Sequence, residues 1–498
     1  MARLTHNILA NGIGRAWMML MALVFVPVYV RVLGIEAYGL IGFFVTMQAS
    51  LLAIFDLGFS ATVNREMARI SGQDADQRRV DTLHTLEIVY WVVCLLAGLL
   101  VIGLASPIAR YWINAPGLTE SSISTAIQAM GLTIALQMPF SLYRGAFAGL
   151  QYQVTENILL IGQLTLRFGG AAAVILYVSP TIEAYFFWQI LAAGVTTILM
   201  GSVLWWRMPK GIFQAHFRWD VLRGVKSYAL MLSVSGIVSL AVTQLDKLML
   251  SKLVSMEQFG YYSIATTISV ALWSFVIPIN GALFPRFAQE ENNTEYLAVL
   301  YHTACQVVSV ILLPVSMLMM MFSGEILLLW TGDEQIVENA HWLVTFLVCG
   351  TALSGLVSVG TYLLAAIGKP GVVLRANVVL ALVLIPSLFF VVPLYSVVGA
   401  SVLWALVNAG YLFLVLPAVH TYVVKESIYT WVIFDVMRPG VAALIVVVIG
   451  KLLMPEEIVS QLWLLIWLCG LGLVAMVAAL LVAPRAKARL LLMFSALS

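Results

Sequence analysis

Long apolar runs separated by short polar connections repeat along the whole chain. Charges and helix-breaking residues divide these runs into segments of roughly 17 to 25 residues, the length that an α-helix needs to cross the hydrocarbon core of a bilayer. Fourteen spans are predicted, at residues 8–30, 38–58, 84–104, 122–142, 157–178, 183–206, 227–250, 258–280, 301–322, 340–364, 376–393, 398–419, 437–454 and 459–482. The pattern therefore predicts an all-α integral membrane protein with about 14 transmembrane helices.

The positive charges are distributed unevenly between the two sides of these predicted spans. Nineteen of the 26 lysines and arginines lie on the side that holds both ends of the chain, four lie on the opposite side, and three lie inside spans. Cytoplasmic connections of membrane proteins are enriched in lysine and arginine. Both termini are therefore predicted to be cytoplasmic.

The longest connection on the predicted cytoplasmic side divides the first twelve spans into two groups of six. We predict an N-terminal six-helix lobe at residues 1–206, an inter-lobe linker at 207–226, a C-terminal six-helix lobe at 227–419, and additional helices 13 and 14 with a basic tail at 420–498. Two halves with an even number of spans each insert in the same orientation, so their symmetry axis is expected along the membrane normal. Two such lobes facing one another would enclose a central cavity.

Composition agrees with a membrane protein and excludes several other classes. The chain is 62% hydrophobic and 10% charged, and its net charge of +2 gives no reason to expect nucleic acid as a partner. The four cysteines lie in apolar runs without metal or redox spacing. Phosphate-binding glycine loops, zinc-binding helix motifs and nucleophile elbows are absent from the sequence, so no cofactor, metal site or catalytic residue is predicted.

Polar residues at four-residue spacing mark one face of the first predicted span. Asn7, Asn11 and Arg15 precede an apolar run of only fifteen residues, which places the arginine partly at membrane depth. An arginine there costs at least ~2.5 kcal/mol unless it faces water or a partner, so it indicates a functional site. The alternative is that Arg15 extends to the cytoplasmic headgroups.

The fourth, fifth and seventh spans add further polar positions. The seventh has a polar stripe on one face, formed by Ser235, Ser239, Thr243, Lys247 and Ser251. Asp246 lies beside Lys247, Arg167 lies four residues after Gln163 in the fifth span, and Arg144 lies at the cytoplasmic end of the fourth. The alternative for the stripe is close helix packing by small residues, with Asp246 and Lys247 in the outer headgroups.

Charge inside the predicted spans is net basic, which predicts an anionic ligand. Arginine's planar guanidinium binds phosphate especially well, so a phosphate-bearing ligand is favoured. The predicted substrate-binding residues are Arg15, Lys247, Arg167, Asn11, Asp246 and Arg144.

Motifs spread over the first twelve spans carry a family resemblance. They are Gly14-Arg15, Pro27, Arg31 to Gly34, Tyr38-Gly39 and Asp56 to Ser60 in the first half, and Gln244 to Lys247, Gly260-Tyr261 and Gly368 to Pro370 in the second. In these motifs the chain resembles the Wzx-type polysaccharide flippases, which move lipid-linked oligosaccharides. These flippases belong to the multidrug/oligosaccharidyl-lipid/polysaccharide exporter superfamily.

The resemblance implies a transporter of the bacterial inner membrane and not an enzyme. Its two lobes would open alternately to each side, and its cargo would be an undecaprenyl-diphosphate-linked oligosaccharide for O-antigen, capsule or exopolysaccharide. By position, Arg15 and Lys247, followed by Arg167, would hold the diphosphate. Membrane lipid, a polysaccharide polymerase and chain-length proteins would be partners. In lipid II flippases, which the chain resembles in span count, two extra helices shape a groove for the lipid tail.

Two other functions stay open at this point. A cation-coupled multidrug exporter of the same superfamily would favour acidic residues in the cavity, whereas the charge inside these spans is basic. A membrane polysaccharide polymerase or ligase would usually need a long periplasmic segment, and the longest predicted outside connections have only about 18 residues.

Overall fold

In the computed structural model of the chain, every regular element among the described residues is helical, and these residues contain no β-strand. The structure describes residues 2–56, 58–70, 75–208, 215–224, 240, 243–291, 293–425, 427–455 and 460–488, with side chains described from Gly12 onwards. The predicted all-α class is confirmed.

The helices follow one another with short connections. The first nine are α1 (Ala2–Leu33), α2 (Ile35–Phe55), α3 (Phe59–Arg69), α4 (Ala75–Gly103), α5 (Ala105–Tyr111), α6 (Glu120–Gly149), α7 (Gln153–Tyr177), α8 (Ile182–Arg207) and α9 (Leu245–Leu253). The next eight are α10 (Met256–Val270), α11 (Trp273–Gln289), α12 (Thr294–Met321), α13 (Ser323–Thr331), α14 (Glu334–Ala366), α15 (Pro370–Val424), α16 (Ile428–Leu452) and α17 (Gln461–Leu481).

Most of the predicted membrane spans correspond to a described helix. Among the described residues, eleven helices are long and apolar enough to cross a bilayer, and α10 and α11, bent by 41° from each other, together form a twelfth such segment. The 55-residue helix α15 contains two predicted spans, 376–393 and 398–419. The seventh predicted span, 227–250, lies largely outside the described residues. The chain is a multi-pass membrane protein.

A local break divides α15 between its two predicted spans. Ser396 has φ 51° and ψ −142°, which lies outside the helical region and is uncommon for a residue other than glycine. Pro393 comes three residues earlier and lacks the N–H that would continue the helical hydrogen bonds. The element α15 therefore consists of two helical segments of membrane-crossing length that meet at this break.

Contacts divide the chain into two compact units, residues 1–260 and 261–498. In the first unit, α6 packs against α3, α4 and α8; in the second, α14 packs against α12 and α15, and α16 packs against α17. The lobe boundaries predicted from the sequence stay a prediction, because much of the connection between α8 and α9 lies outside the described residues.

Glycines let α3 and α6 approach closely within the first unit. A Cβ at Gly145 of α6 would lie 2.2 Å from the carbonyl oxygen of Ser60, and one at Gly149 would lie 2.4 Å from that of Asn64. In lipid, helices associate through close van der Waals packing because apolar burial gives little net gain there. These two contacts hold the short helix α3 directly against the middle of the unit.

Candidate functional site

The site in the first unit is built around a π-helical turn in α7, at Thr165–Gly169. Such a turn widens the helix and leaves backbone groups that need other partners, and it is frequent at functional sites. Here the carbonyl oxygens of residues 166, 167 and 168 accept hydrogen bonds from Trp188 Nε1 (2.9 Å), Gln189 Nε2 (3.5 Å) and the Tyr29 hydroxyl (2.7 Å). Side chains from α1 and α8 thereby stabilise the turn.

Arg167 lies in the middle of this turn and is held by neutral groups. Its Nε donates to Gln189 Oε1 at 2.9 Å and its Nη2 donates to Gln48 Oε1 at 3.2 Å. Gln48 in turn donates to Gln137 Oε1 at 2.7 Å, and the guanidinium lies 5.6 Å from the centre of the Phe44 ring. Among the described residues, no carboxylate pairs with Arg167 and its Nη1 makes no hydrogen bond, so its charge is not neutralised by an ion pair.

Two other predicted cations are neutralised by buried carboxylates. Lys247 Nζ lies 3.2 Å from Asp246, whose side chain is 2% exposed, and also donates to the Thr243 carbonyl at 2.9 Å. Arg144 Nε lies 2.8 Å from Glu156, whose side chain is 7% exposed. Opposite charges this close cancel most of each other's field. The predicted contact of Lys247, Asp246 and Arg144 with substrate stays a prediction.

Arg15 has a different environment from the other predicted cations. Its side chain is exposed on α1, and it forms no hydrogen bond or ion pair with any residue in the described part of the chain. The preceding residue, Gly14, faces α7 so closely that a Cβ there would lie 2.2 Å from Oδ1 of Asn157. The side chain of Asn11 lies outside the described residues. The roles predicted for Arg15 and Asn11 also stay predictions.

The polar stripe predicted for the seventh span is described only in part. Ser235 and Ser239 lie outside the described residues, whereas Ser251 is fully buried and accepts a hydrogen bond from Trp112 Nε1 at 3.0 Å. This end of the stripe therefore has a packing role inside the first unit.

Two carboxylates within predicted spans or at their ends have only neutral donors as partners. Asp56, which ends α2, accepts hydrogen bonds from the hydroxyls of Ser60 (2.7 Å) and Tyr90 (2.8 Å). Glu87 on α4 accepts from the Tyr143 hydroxyl (2.5 Å) and from Trp205 Nε1 (3.0 Å). Neither carboxylate forms an ion pair with a described residue.

The connection after α8 is anchored to the start of α4. Buried Asp81 accepts a hydrogen bond from the backbone N–H of His216 at 3.0 Å, and Arg218 lies 3.8 Å from the same carboxylate. Arg218 also pairs with Asp220 at 2.8 Å, and this hydrogen bond lowers the pKa of Asp220 below its usual value. A cavity of about 460 Å³ beside this anchor is lined by both arginines and carboxylates. Its charges largely compensate each other.

Two separate apolar cavities lie along successive parts of α16 in the second unit, and we call them together the apolar groove. The first, about 510 Å³, is lined by residues of α16 and α17 that include Val446, Gly450, Trp463, Trp467 and Gly470. A second part, about 780 Å³, lies nearer the start of α16 and includes Arg438 in its lining. Sequence hydropathy identified both helices but could not show that a groove lies between them.

Sequence reasoning identified Arg167 but missed the residues that hold it. Gln48, Gln189 and Tyr29 come from three different helices, and each is a lone polar group in an apolar run. Their position within predicted spans is a weak signal that could have drawn attention to them. Nothing in the sequence indicated that they converge on one turn of α7.

Comparison with known proteins places the chain in a family. A family model described as polysaccharide biosynthesis protein matches residues 4–291, and one described as MatE matches residues 232–390. The chain is 22% identical over 401 residues to a Shigella flexneri protein named "Putative O-antigen transporter", covering 80% of this chain and 93% of that protein.

Solved structures share the fold at low sequence identity. The lipid II flippase MurJ in an inward closed conformation has a TM-score of 0.70 at 13% identity, covering 95% of this chain and 97% of that one. An inward-facing multidrug resistance MATE family transporter of the MOP superfamily has a TM-score of 0.63 at 16% identity, covering 81% and 93%. Since the first family model matches more than half of the chain, the chain belongs to the polysaccharide biosynthesis protein family.

Proposed function

We propose that this protein is a flippase for an undecaprenyl-diphosphate-linked oligosaccharide, the repeat unit of an O-antigen, capsule or exopolysaccharide. It would move this cargo by alternating access from the inner to the outer leaflet of the bacterial inner membrane. The observation that carries the proposal is Arg167, an arginine within a span whose partners among the described residues are neutral amides.

The physical argument starts from the cost of charge at membrane depth. A polyprenyl diphosphate sugar cannot cross unaided because its charged and hydroxylated head would have to enter hydrocarbon. A guanidinium held by Gln48 and Gln189 keeps its charge and offers donors that match phosphate oxygens. The protein would therefore replace water around the diphosphate, and this transfer needs no covalent chemistry.

The environments of the predicted site residues suggest an order of importance among them. Arg167 has the rigid, neutral surroundings expected of a binding group, so we place it first. Arg15, which is exposed and has no described partner, would make an earlier or a second contact with the diphosphate, together with Asn11. Lys247 and Arg144 would take part only if the diphosphate displaced Asp246 or Glu156 from them.

We assign the apolar groove along α16 to the lipid tail of the cargo. Both of its cavities are lined mainly by apolar residues, and Arg438 lies in the lining of the cavity nearer the start of α16. An isoprenoid chain that is already in lipid gains little from burial alone, so close van der Waals contacts with the groove would hold it there. The two additional helices predicted at the end of the chain, which are α16 and α17 in the structure, would then hold the tail while the head crosses.

Filling the groove should therefore slow export. Gly470→Trp places an indole where a Cβ would have nothing within 4 Å, so the protein should fold while the groove loses volume. We expect a several-fold lower export rate in cells with normal amounts of the variant. Leu473→Trp, at an exposed position of α17 that does not line the groove, is the matched control. Equal effects of the two variants would remove the groove from the transport path.

A multidrug exporter is the second candidate, for a specific reason. Asp56 and Glu87 have neutral partners only, and carboxylates of this kind suit the binding of a cation that drives export. The match of residues 232–390 to the MatE model also supports it. The basic site at Arg167 favours the flippase. The described residues give no specific observation in favour of the polymerase or ligase.

Depletion of the protein tests the proposal directly. After its gene is switched off, lipid-linked oligosaccharides should be quantified in cell extracts by mass spectrometry. Accumulation of one complete undecaprenyl-diphosphate oligosaccharide, with loss of the surface polymer, is the expected result. An unchanged pool together with new sensitivity to cationic drugs would instead establish the exporter.

A further inference from the structure

A buried histidine–aspartate pair joins two helices of the second unit. Nδ1 of His302 on α12 is hydrogen bonded to Oδ2 of Asp435, and both side chains are 0% exposed. Asp435 lies in a second π-helical turn, Trp431–Met437, near the start of α16. Its other carboxylate oxygen accepts a hydrogen bond from Gln306 Nε2 at 2.9 Å. Both oxygens of the carboxylate therefore have a partner.

The pair lies at a point where four helical segments meet. The ring of His302 lies 6.2 Å from that of His420, at the end of α15, and 5.4 Å from that of Tyr301. Gln306 Oε1 accepts hydrogen bonds from the backbone N–H groups of Arg485 and Ala486, which follow α17. Among the described residues, the titratable groups near the pair include Tyr301, Cys305 and His420, and the charged side chain of Arg485 lies near Cys305.

This arrangement can bind and release one proton at a limited electrostatic cost. With the proton bound, His302 and Asp435 together are neutral, as an ion pair or as two neutral groups. When it leaves, a single negative charge remains, which the hydrogen bond from the Gln306 amide stabilises. An isolated buried carboxylate would have no such compensation. Imidazole is also the side chain that ordinarily titrates near neutral pH.

We propose that His302 and Asp435 form a proton-binding site whose occupancy is coupled to transport. The coupling has a structural route, because Ile433 and Met437 of the same π-helical turn line the apolar groove. A change of charge at Asp435 would alter how this turn packs against α12 and so change the groove. The coupling to cargo rests on the proposed function, whereas the proton-binding site itself does not.

The proton-binding site can be tested on the purified full-length protein without any cargo. Nitrogen NMR of labelled imidazoles would follow the protein's six histidines between about pH 5 and 8. We expect a signal that changes with pH in this range and disappears in His302→Gln. In Asp435→Asn, the midpoint pH of that signal should shift. His341→Gln, on α14, is the matched control because this histidine is hydrogen bonded to the Val337 carbonyl and packs against the Trp342 ring, away from the pair. A His302 signal that does not change with pH in the wild-type protein would overturn the proposal.

The coupling is tested by transport of a lipid-linked oligosaccharide into proteoliposomes under an imposed pH gradient. The wild-type protein and His341→Gln should transport several-fold faster with the gradient than without it, whereas His302→Gln and Asp435→Asn should lose this response. An equal response in all four proteins would refute the coupling.

If the wild-type protein transports no oligosaccharide at all, the proposed function fails, and the NMR titration still decides the proton-binding site. If either variant does not fold, the wild-type titration and gradient response decide.

Discussion

Replacement of Arg167 by alanine is expected to abolish export while the protein stays in the membrane. Hydrogen bonds from a charged group contribute about 1.5 to 3 kcal/mol each. Losing two such hydrogen bonds from the guanidinium to the diphosphate should therefore lower export by ~100-fold or more. Accumulation of the lipid-linked oligosaccharide in cells, measured beside the amount of variant protein, is the direct readout. Arg167→Lys keeps the positive charge but lacks the planar guanidinium that can donate two parallel hydrogen bonds. We expect this variant to retain only part of the wild-type activity.

Two further variants test whether the effect is specific to the site. Arg69→Ala removes an exposed arginine of α3, in the same unit, that has no hydrogen bond or ion pair to a described residue, and should leave export unchanged. Gln189→Leu removes a partner of both the guanidinium and the backbone of the π-helical turn, and should reduce export less than Arg167→Ala. Normal export by Arg167→Ala at normal protein levels would transfer the proposed role to Arg15.

The second large effect is expected from Gly145→Val, and it concerns stability. Because the added Cβ would lie 2.2 Å from the Ser60 carbonyl, and the nearest atoms are all backbone, α3 must move away from α6. Overpacking of this kind typically costs about 1 to 3 kcal/mol, and more where backbone cannot shift. Ser60 would also lose its hydrogen bonds to Asp56 and Ser141. We expect a clearly lower midpoint in thermal unfolding of the detergent-solubilised protein.

Gly162→Val is the matched control for this prediction. Gly162 lies in a helix of the same unit, but a Cβ there would have nothing within 4 Å. Valine is a better helix former than glycine, so this variant should be as stable as the wild-type protein or slightly more stable. Equal destabilisation by the two substitutions would mean that close packing of α3 on α6 is not what makes Gly145 important.

The candidate site was only partly predictable from the sequence. The four-residue spacing of Gln163 and Arg167 and the apolar run around them identified an arginine at membrane depth. The same reasoning ranked Lys247 alongside Arg15, yet the structure pairs Lys247 with Asp246. Whether adjacent residues on a helix form an ion pair depends on side-chain direction and burial, and sequence spacing does not determine either of these. The π-helical turn around Arg167 has no sequence signature that would have predicted it.

The sequence by itself determined that the protein is a helical membrane protein, and it located most of the spans. In lipid every backbone polar group must be bonded within its own segment, so apolar length alone identifies a helix. Only the tertiary structure decided which charged side chains are neutralised by an ion pair and which are held by neutral groups. Glu156 neutralises Arg144, amides from α2 and α8 hold Arg167, and Asp435 reaches His302 across 133 positions of the chain. Electrostatic interaction depends on distance and burial in space, which become defined only when helices far apart in sequence pack together.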